Sequence, residues 1–160
     1  MEQIATYTLR PVQEADDALL LEIYSSTRAD EMSLVPWDAM QKQAFLQMQF
    51  SAQQKHYRAY FPHASHNIIL DRGRPTGRLY VDRRETEIRI LDVTLLPQAR
   101  GHGIGTHILV DIMKEASQAN KFVSIYIESY NRSLRLFQRQ GFVKKEESGA
   151  LWLMEWRTGS

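Results

Sequence analysis

The chain has no cysteine among its 160 residues. That removes disulfide frameworks, thiolate metal sites and cysteine nucleophiles together, and it suits a reducing cytoplasm. Neither sign of charge is in excess: 20 lysines and arginines against 19 aspartates and glutamates leave a net charge of +1. No global field therefore favours nucleic acid or an anionic membrane as a partner. No apolar run approaches the roughly 20 residues that cross a bilayer. Met1-Glu2-Gln3-Ile4-Ala5 has no basic stretch leading into an apolar one, so no signal peptide is read there. Repeats and low-complexity blocks are also missing. With 43% hydrophobic residues over this length, the expectation is one soluble, cytoplasmic domain over residues 1–157, with Thr158-Gly159-Ser160 as a short tail.

What is present is a succession of strand and helix patterns. Ala5 to Val12 alternates apolar and polar residues and reads as a strand. Ala15 to Arg28 reads as a helix with Leu19, Leu20, Ile23 and Tyr24 on one face and acidic residues at its start. After Pro36, Asp38 is a plausible N-cap for a second helix reaching about Tyr57. Strands are then expected at Asn67 to Leu70, Thr76 to Arg83 and Glu87 to Leu95. A helix with Ile104, Ile108, Ile112 and Ala116 at four-residue spacing follows. Phe122 to Ile127, a short helix over Ser133 to Gln140, and a closing pair at Phe142 to Glu147 and Leu151 to Trp156 complete the order. Antiparallel strands feeding a β-α-β unit imply a mixed sheet with helices packed on its faces.

The most informative segment joins the strand ending at Leu95 to the helix after it. Pro97-Gln98-Ala99-Arg100-Gly101-His102-Gly103-Ile104-Gly105-Thr106 is a glycine-rich turn opening a helix. Such a turn leaves backbone N–H groups without intrahelical partners at the positive end of a helix dipole, a site suited to phosphate. A Walker loop needs a lysine after its last glycine, and Gly105-Thr106-His107 has none. A dinucleotide fingerprint needs G-x-G-x-x-G early in a βαβ unit and an acidic residue about 20 positions later. Here the spacing is G-x-G-x-G, late in the chain, and the acidic position falls near the apolar strand Phe122 to Ile127. A nucleotide-binding oxidoreductase is thereby disfavoured.

Arg100-Gly101-His102-Gly103-Ile104-Gly105-Thr106 resembles the Q/R-x-x-G-x-G/A motif of the GCN5-related N-acetyltransferases (GNAT), with Arg100, Gly103 and Gly105 at the defining positions. Asn131 to Phe142 looks like the family's second signature, an asparagine before a helix that ends in glycine and phenylalanine. Leu91 to Pro97 looks like the strand and proline that precede the turn. The resemblance implies the acyl-CoA N-acyltransferase (GNAT) fold. This is an α/β (α+β) arrangement whose mixed, mostly antiparallel central sheet of about 6–7 strands has helices on both faces. It implies acetyl-coenzyme A (acetyl-CoA) as co-substrate and no metal. By position, the backbone of Gly101, His102, Gly103, Ile104, Gly105 and Thr106 would hold the pyrophosphate. The pantetheine arm would lie along the strand ending at Leu95, with Asn131 reaching it from the other side and Ser133 and Phe137 completing the site. Backbone N–H groups near Val93 and Leu95 would face the developing oxyanion.

The activity implied is direct transfer of acetyl from the thioester to a primary amine of a small molecule or peptide. A lysine-like amine of pKa ~10.4 lies about 3.4 units above pH 7, so presenting it neutral costs roughly 4–5 kcal/mol. A proton acceptor is therefore useful. Glu87 is the candidate base: some family members carry a glutamate there, and strict alternation places it on one face with Leu91, Val93 and Leu95. The plainer alternative is a solvated glutamate paired with Arg83, Arg84 or Arg89. The same alternation puts Asp92 on the opposite face in a structural role, and His56, His63 and His66 have no metal-ligand spacing. Where the family usually places a tyrosine to protonate the departing thiolate, this chain has Phe137, which has no proton to give. Tyr126, Tyr130 and Ser133 are candidate substitutes, among which Tyr130 is carried forward as the general acid.

The resemblance places the acceptor wall in Ala15 to Phe61. Trp37, Phe45, Phe50, Tyr57, Tyr60 and Phe61 are expected to be mostly core, and Gln43, Gln47, Gln49, Gln53 and Gln54 a solvated face with one or two contacts to the acceptor. The alternative reading is a non-catalytic acyl-coenzyme A-binding sensor or assembly module of the same fold, for which Phe137 leaves room. A homodimer is compatible with either.

Overall fold

Seven strands form one sheet in the computed structural model, which describes residues 6–159. They are β1 (Thr8–Pro11), β2 (Ser65–Asp71), β3 (Arg74–Arg83), β4 (Glu87–Leu95), β5 (Phe122–Glu128), β6 (Val143–Ser148) and β7 (Leu151–Trp156). The spatial order is β1-β2-β3-β4-β5-β7-β6, and only the β4–β5 pair is parallel. The helices are α1 (Asp17–Ser26), α2 (Ala29–Ser33), α3 (Ala39–Tyr60), α4 (Ile104–Gln118) and α5 (Leu134–Arg139). The mixed, mostly antiparallel sheet with helices on both faces is as expected.

Local chemistry sets the helix limits. Asp38 caps α3: its carboxylate accepts from the Gln41 N–H at 2.8 Å while the Gln41 side chain accepts from the Asp38 N–H at 3.0 Å. This reciprocal pair satisfies two of the donors that a helix start leaves open. The first helix differs from expectation in opening with a 3-10 turn over Glu14–Asp16. There Asp16 turns back to hold Arg10 through two 2.8 Å contacts. The one-turn α2 carries no apolar periodicity and was not anticipated. The first strand begins at Thr8; Ala5, placed in it from sequence, and Ser160 of the tail lie outside the described residues.

Alternation along the strands separates two cores. On one face, Ile88, Ile90, Val123 and Ile125 pack against the buried stripe Ile104, Ile108, Ile112 and Ala116 of α4 and against Phe137 of α5. Each buried isoleucine contributes about 2 kcal/mol. On the other face, Leu20 and Tyr24 of α1, Phe50 of α3 and Ile68 of β2 form a smaller cluster. Among the described residues, no helix is long and apolar enough to cross a membrane.

Two irregularities in β4 prepare the site. Pairing with β5 runs only from Glu87↔Phe122 to Ile90↔Ile125, so beyond Ile90 the two strands part. On its other edge β4 carries a bulge: Val81 pairs Ile90, but Tyr80 pairs Asp92, leaving Leu91 as an extra residue. An extra residue reverses side-chain parity. Val93 and Leu95 therefore join Ile88 and Ile90 on the α4 side, whereas Asp92 shares the opposite face with Glu87. The expectation that Glu87 lies on one face with Val93 and Leu95, and Asp92 on the other, is corrected by this bulge.

Candidate active site

The turn after β4 has the geometry that its glycines permit. Gly101 and Gly103 sit at φ 78° and 86°, in the left-handed region that favours glycine, and Gly103 is the N-cap of α4. The first bond into the helix runs from the His107 N–H to the Gly103 carbonyl at 3.0 Å. The N–H groups of Ile104, Gly105 and Thr106 consequently have no acceptor within the helix. Arg100 fastens the turn to the strand by donating from Nε to the Leu95 carbonyl at 3.1 Å. Gly105 also faces the neighbouring elements. A Cβ there would meet Leu136 Cδ2 at 3.4 Å and Leu95 Cδ1 at 3.8 Å, ordinary contact distances that place this turn of the helix against α5 and β4.

Where β4 and β5 separate, a cleft of about 430 Å³ opens. Val93, Leu95, Arg100, Tyr130, Asn131, Ser133 and Phe137 all line it, as the sequence reading grouped them. Gly101 to Thr106 continue from Arg100 and are not part of that lining. Phe137 is 1% exposed and meets Phe142 edge-on at 5.1 Å, a core contact with one side on the cleft. Asn131 is committed locally: its Oδ1 accepts from the Ser133 N–H at 2.8 Å, ahead of α5. Tyr130 is exposed, and its hydroxyl makes no hydrogen bond among the described residues.

Glu87 is elsewhere. It stands at the paired end of β4, opposite Phe122, and is not among the residues lining the cleft. Its carboxylate accepts a short hydrogen bond from Ser124 and pairs with Arg89 at 3.2 Å and Arg84 at 3.3 Å. Burial pushes its pKa up, but the Ser124 hydroxyl and the two guanidiniums outweigh burial and hold it below the usual carboxylate value. The plainer sequence alternative, a salt-bridged glutamate, describes these contacts.

The opposite wall contains Arg78, which the sequence reading did not single out, and Tyr57, expected there among the mostly core aromatics. Arg78 of β3 is 1% exposed and is held by Asp92 at 2.5 Å, by Gln53 at 2.6 Å and by Gln54 at 3.3 Å. Two of the glutamines assigned to a solvated face are thus ligands of a buried guanidinium. The available signal was an arginine in the middle of the apolar run Thr76 to Val81, since a buried charge requires partners. Tyr57 of α3 donates its hydroxyl to the carbonyl of the bulged Leu91 at 3.2 Å. Burial and the Asp92 charge raise its pKa, so the hydroxyl keeps its proton at neutral pH. Among the described residues, no three histidines or carboxylates group as metal ligands.

Comparison with known proteins agrees with this architecture. The chain superposes on PaiA N-acetyltransferase from Thermoplasma acidophilum in complex with coenzyme A with a TM-score of 0.70, at 12% identity and over 95% of this chain and 99% of that one. An acetyltransferase from Thermus thermophilus gives 0.67 at 15% identity, over 95% and 97% of the two chains. Arabidopsis thaliana Naa50, in complex with a bisubstrate analogue, gives 0.60 at 13% identity, over 96% and 99%. At such identities these likenesses establish the fold. A sequence search of curated proteins finds no match. The acetyltransferase (GNAT) domain model matches residues 29–150, which include the turn, the splayed strands and α5, and the chain belongs to that family.

Proposed function

We propose that this chain transfers acetyl directly from acetyl-CoA to a primary amine of a small molecule or peptide. The observation that carries this reading is the β4 segment from Leu91 to Leu95, which β5 leaves unpaired and whose end carbonyls are held by Tyr57 and Arg100, followed through the glycine turn by the open donors of α4. An extended arm ending in a diphosphate matches both features. The backbone between those two anchored carbonyls offers strand-like hydrogen bonds, and the turn offers N–H groups and a helix dipole. Val93, Leu95, Arg100, Asn131, Ser133 and Phe137 line that path.

The reaction fits the walls of the cleft. The amine nitrogen forms a C–N bond to the thioester carbonyl carbon, and the C–S bond breaks with its electron pair passing to sulfur. The thiolate takes up one proton, and a second proton of the original ammonium reaches solvent. Tyr130 relays the first proton in this reading, giving its own to the thiolate and regaining one that the ammonium releases, because it lines the cleft and Phe137 has no proton to give. A thiol pKa of about 8.5 makes the thiolate a fair leaving group, so the demand on that acid is small.

One observation favours a second reading, an acyl-coenzyme A sensor of the same fold: Phe137 is locked in the core by Phe142, with no hydroxyl to offer. Free-thiol release from acetyl-CoA across a panel of primary amines, beside calorimetric binding of acetyl-CoA, separates the two. Thiol release dependent on an amine is expected. Tight binding with no release across the panel would establish the sensor instead.

A further inference from the structure

We infer that Glu128 is the group that receives the acceptor, as a cationic ammonium, and that the substrate is consequently an amine with no carboxylate beside it. This rests on the transferase reading above and goes further, to the chemistry of the acceptor. Four carboxylates line the cleft: Asp30, Glu31, Asp92 and Glu128. Three of them have cations. Asp92 pairs with Arg78 at 2.5 Å, Glu31 with Arg28 at 3.3 Å, and Asp30 with Arg132 at 3.7 Å.

Glu128 has no such partner among the described residues. Its one contact is the Asn131 side-chain amide, donating at 3.4 Å. It ends β5, lines the cleft, and lies within electrostatic range of Arg28 and Tyr57. Arg28 makes its direct contacts elsewhere, with Glu31 at 3.3 Å and the Tyr24 hydroxyl at 3.4 Å, so one guanidinium stands near two carboxylates. The four arginines of the lining leave a matching remainder: Arg100 has no carboxylate partner and sits at the turn. The cleft thus holds a cation without a direct carboxylate contact where a diphosphate would arrive and an anion without a direct cation contact at the end of β5. Partly buried, low-dielectric surroundings make each remainder attractive to its opposite. An ammonium at Glu128 would complete the charge balance, while a substrate carboxylate there would meet like charge.

The test has two arms. In the first, full-length protein with isotope-labelled glutamate carboxyls, in the presence of coenzyme A, is titrated with ethylammonium or with ethanol. The resonance that vanishes in Glu128→Gln should shift saturably with ethylammonium and not with ethanol. No shift at concentrations on the order of 100 mM, or equal shifts with both, overturns the inference. In the second arm, steady-state kinetics use the fastest primary amine found for the wild type. Glu128→Gln should raise the KM for amine about tenfold or more while kcat stays within about threefold, and Glu128→Asp should recover part of the loss. Acetyl-CoA affinity should not change. An unaltered KM in Glu128→Gln overturns the role of Glu128 and leaves the transferase reading standing. A wild type that releases no thiol with any amine overturns that reading, and the first arm then decides this one.

Discussion

The two ends of the β4–β5 pair are made from the same strands and behave oppositely. At the closed end, Glu87 to Ile90 are hydrogen-bonded to Phe122 to Ile125, and Glu87, Arg84, Arg89 and Ser124 satisfy one another across the strands. At the open end, pairing stops, backbone is left exposed to a cleft, and charges remain on Arg100 and Glu128. The difference lies in satisfaction rather than in residue type, since both ends carry arginine and glutamate. A sheet can host chemistry where its own hydrogen bonds and charges are left incomplete.

Three substitutions probe that contrast, and the largest effect falls on what holds the open end in place. Gly77 of β3 lies opposite Leu95, and a Cβ there would stand 2.1 Å from the Thr94 carbonyl oxygen and 3.0 Å from the Leu95 Cα. Both neighbours are backbone, so Gly77→Ala should cost about 3 kcal/mol or more, read as a lowered urea midpoint. A stable Gly77→Ala variant would mean that the open end tolerates displacement. Next, Gly103→Val forces a branched residue into φ 86°, with a cost of about 1–2 kcal/mol, and disturbs the free donors. Acetyl-CoA affinity should fall about tenfold or more by calorimetry, with a smaller drop in urea midpoint than Gly77→Ala gives.

The smallest effect is expected at the closed end. Glu87→Gln should cost about 1 kcal/mol or less and leave turnover within about twofold at both pH 7 and pH 9. Because the folded protein holds this carboxyl below its ordinary value, its contribution is in force above about pH 4.3 and fades as pH falls through the depressed value. Glu87→Gln should lose that acid-dependent component of stability, measured as the difference between wild-type and variant melting temperatures along a pH series. A turnover loss concentrated at pH 7 would instead give the closed end a part in proton transfer and dissolve the contrast.

Much of this was legible in the sequence where the controlling interactions are local. The four-residue spacing in α4, the Asp38 cap and the strand Leu151 to Trp156 rest on periodicity and capping, and they appear where expected. The turn and the residues of α5 could be grouped because each is a short contiguous motif. The Leu91 bulge was not visible, since it depends on the register that β4 takes against β3. That one residue turned a parity argument for Glu87 into its reverse. Arg78 and Glu128 were missed, and Tyr57 was placed only among aromatics expected to be mostly core, for a related reason. The contacts of Arg78 and Tyr57 are with Gln53 and Leu91, dozens of positions away in the chain, and Glu128 stands out only once the other carboxylates of the cleft have found their cations.

The hydrogen bond from Tyr57 to the Leu91 carbonyl has a mechanical consequence. Helix α3 brings Gln53 and Tyr57 to one wall of the cleft, and the tyrosine hydroxyl grips β4 at the very residue where that strand changes phase. The bond acts as a strut between the two. Moving α3 away from β4 requires this bond to break, so the position of that wall is coupled to the root of the Leu91 to Leu95 segment.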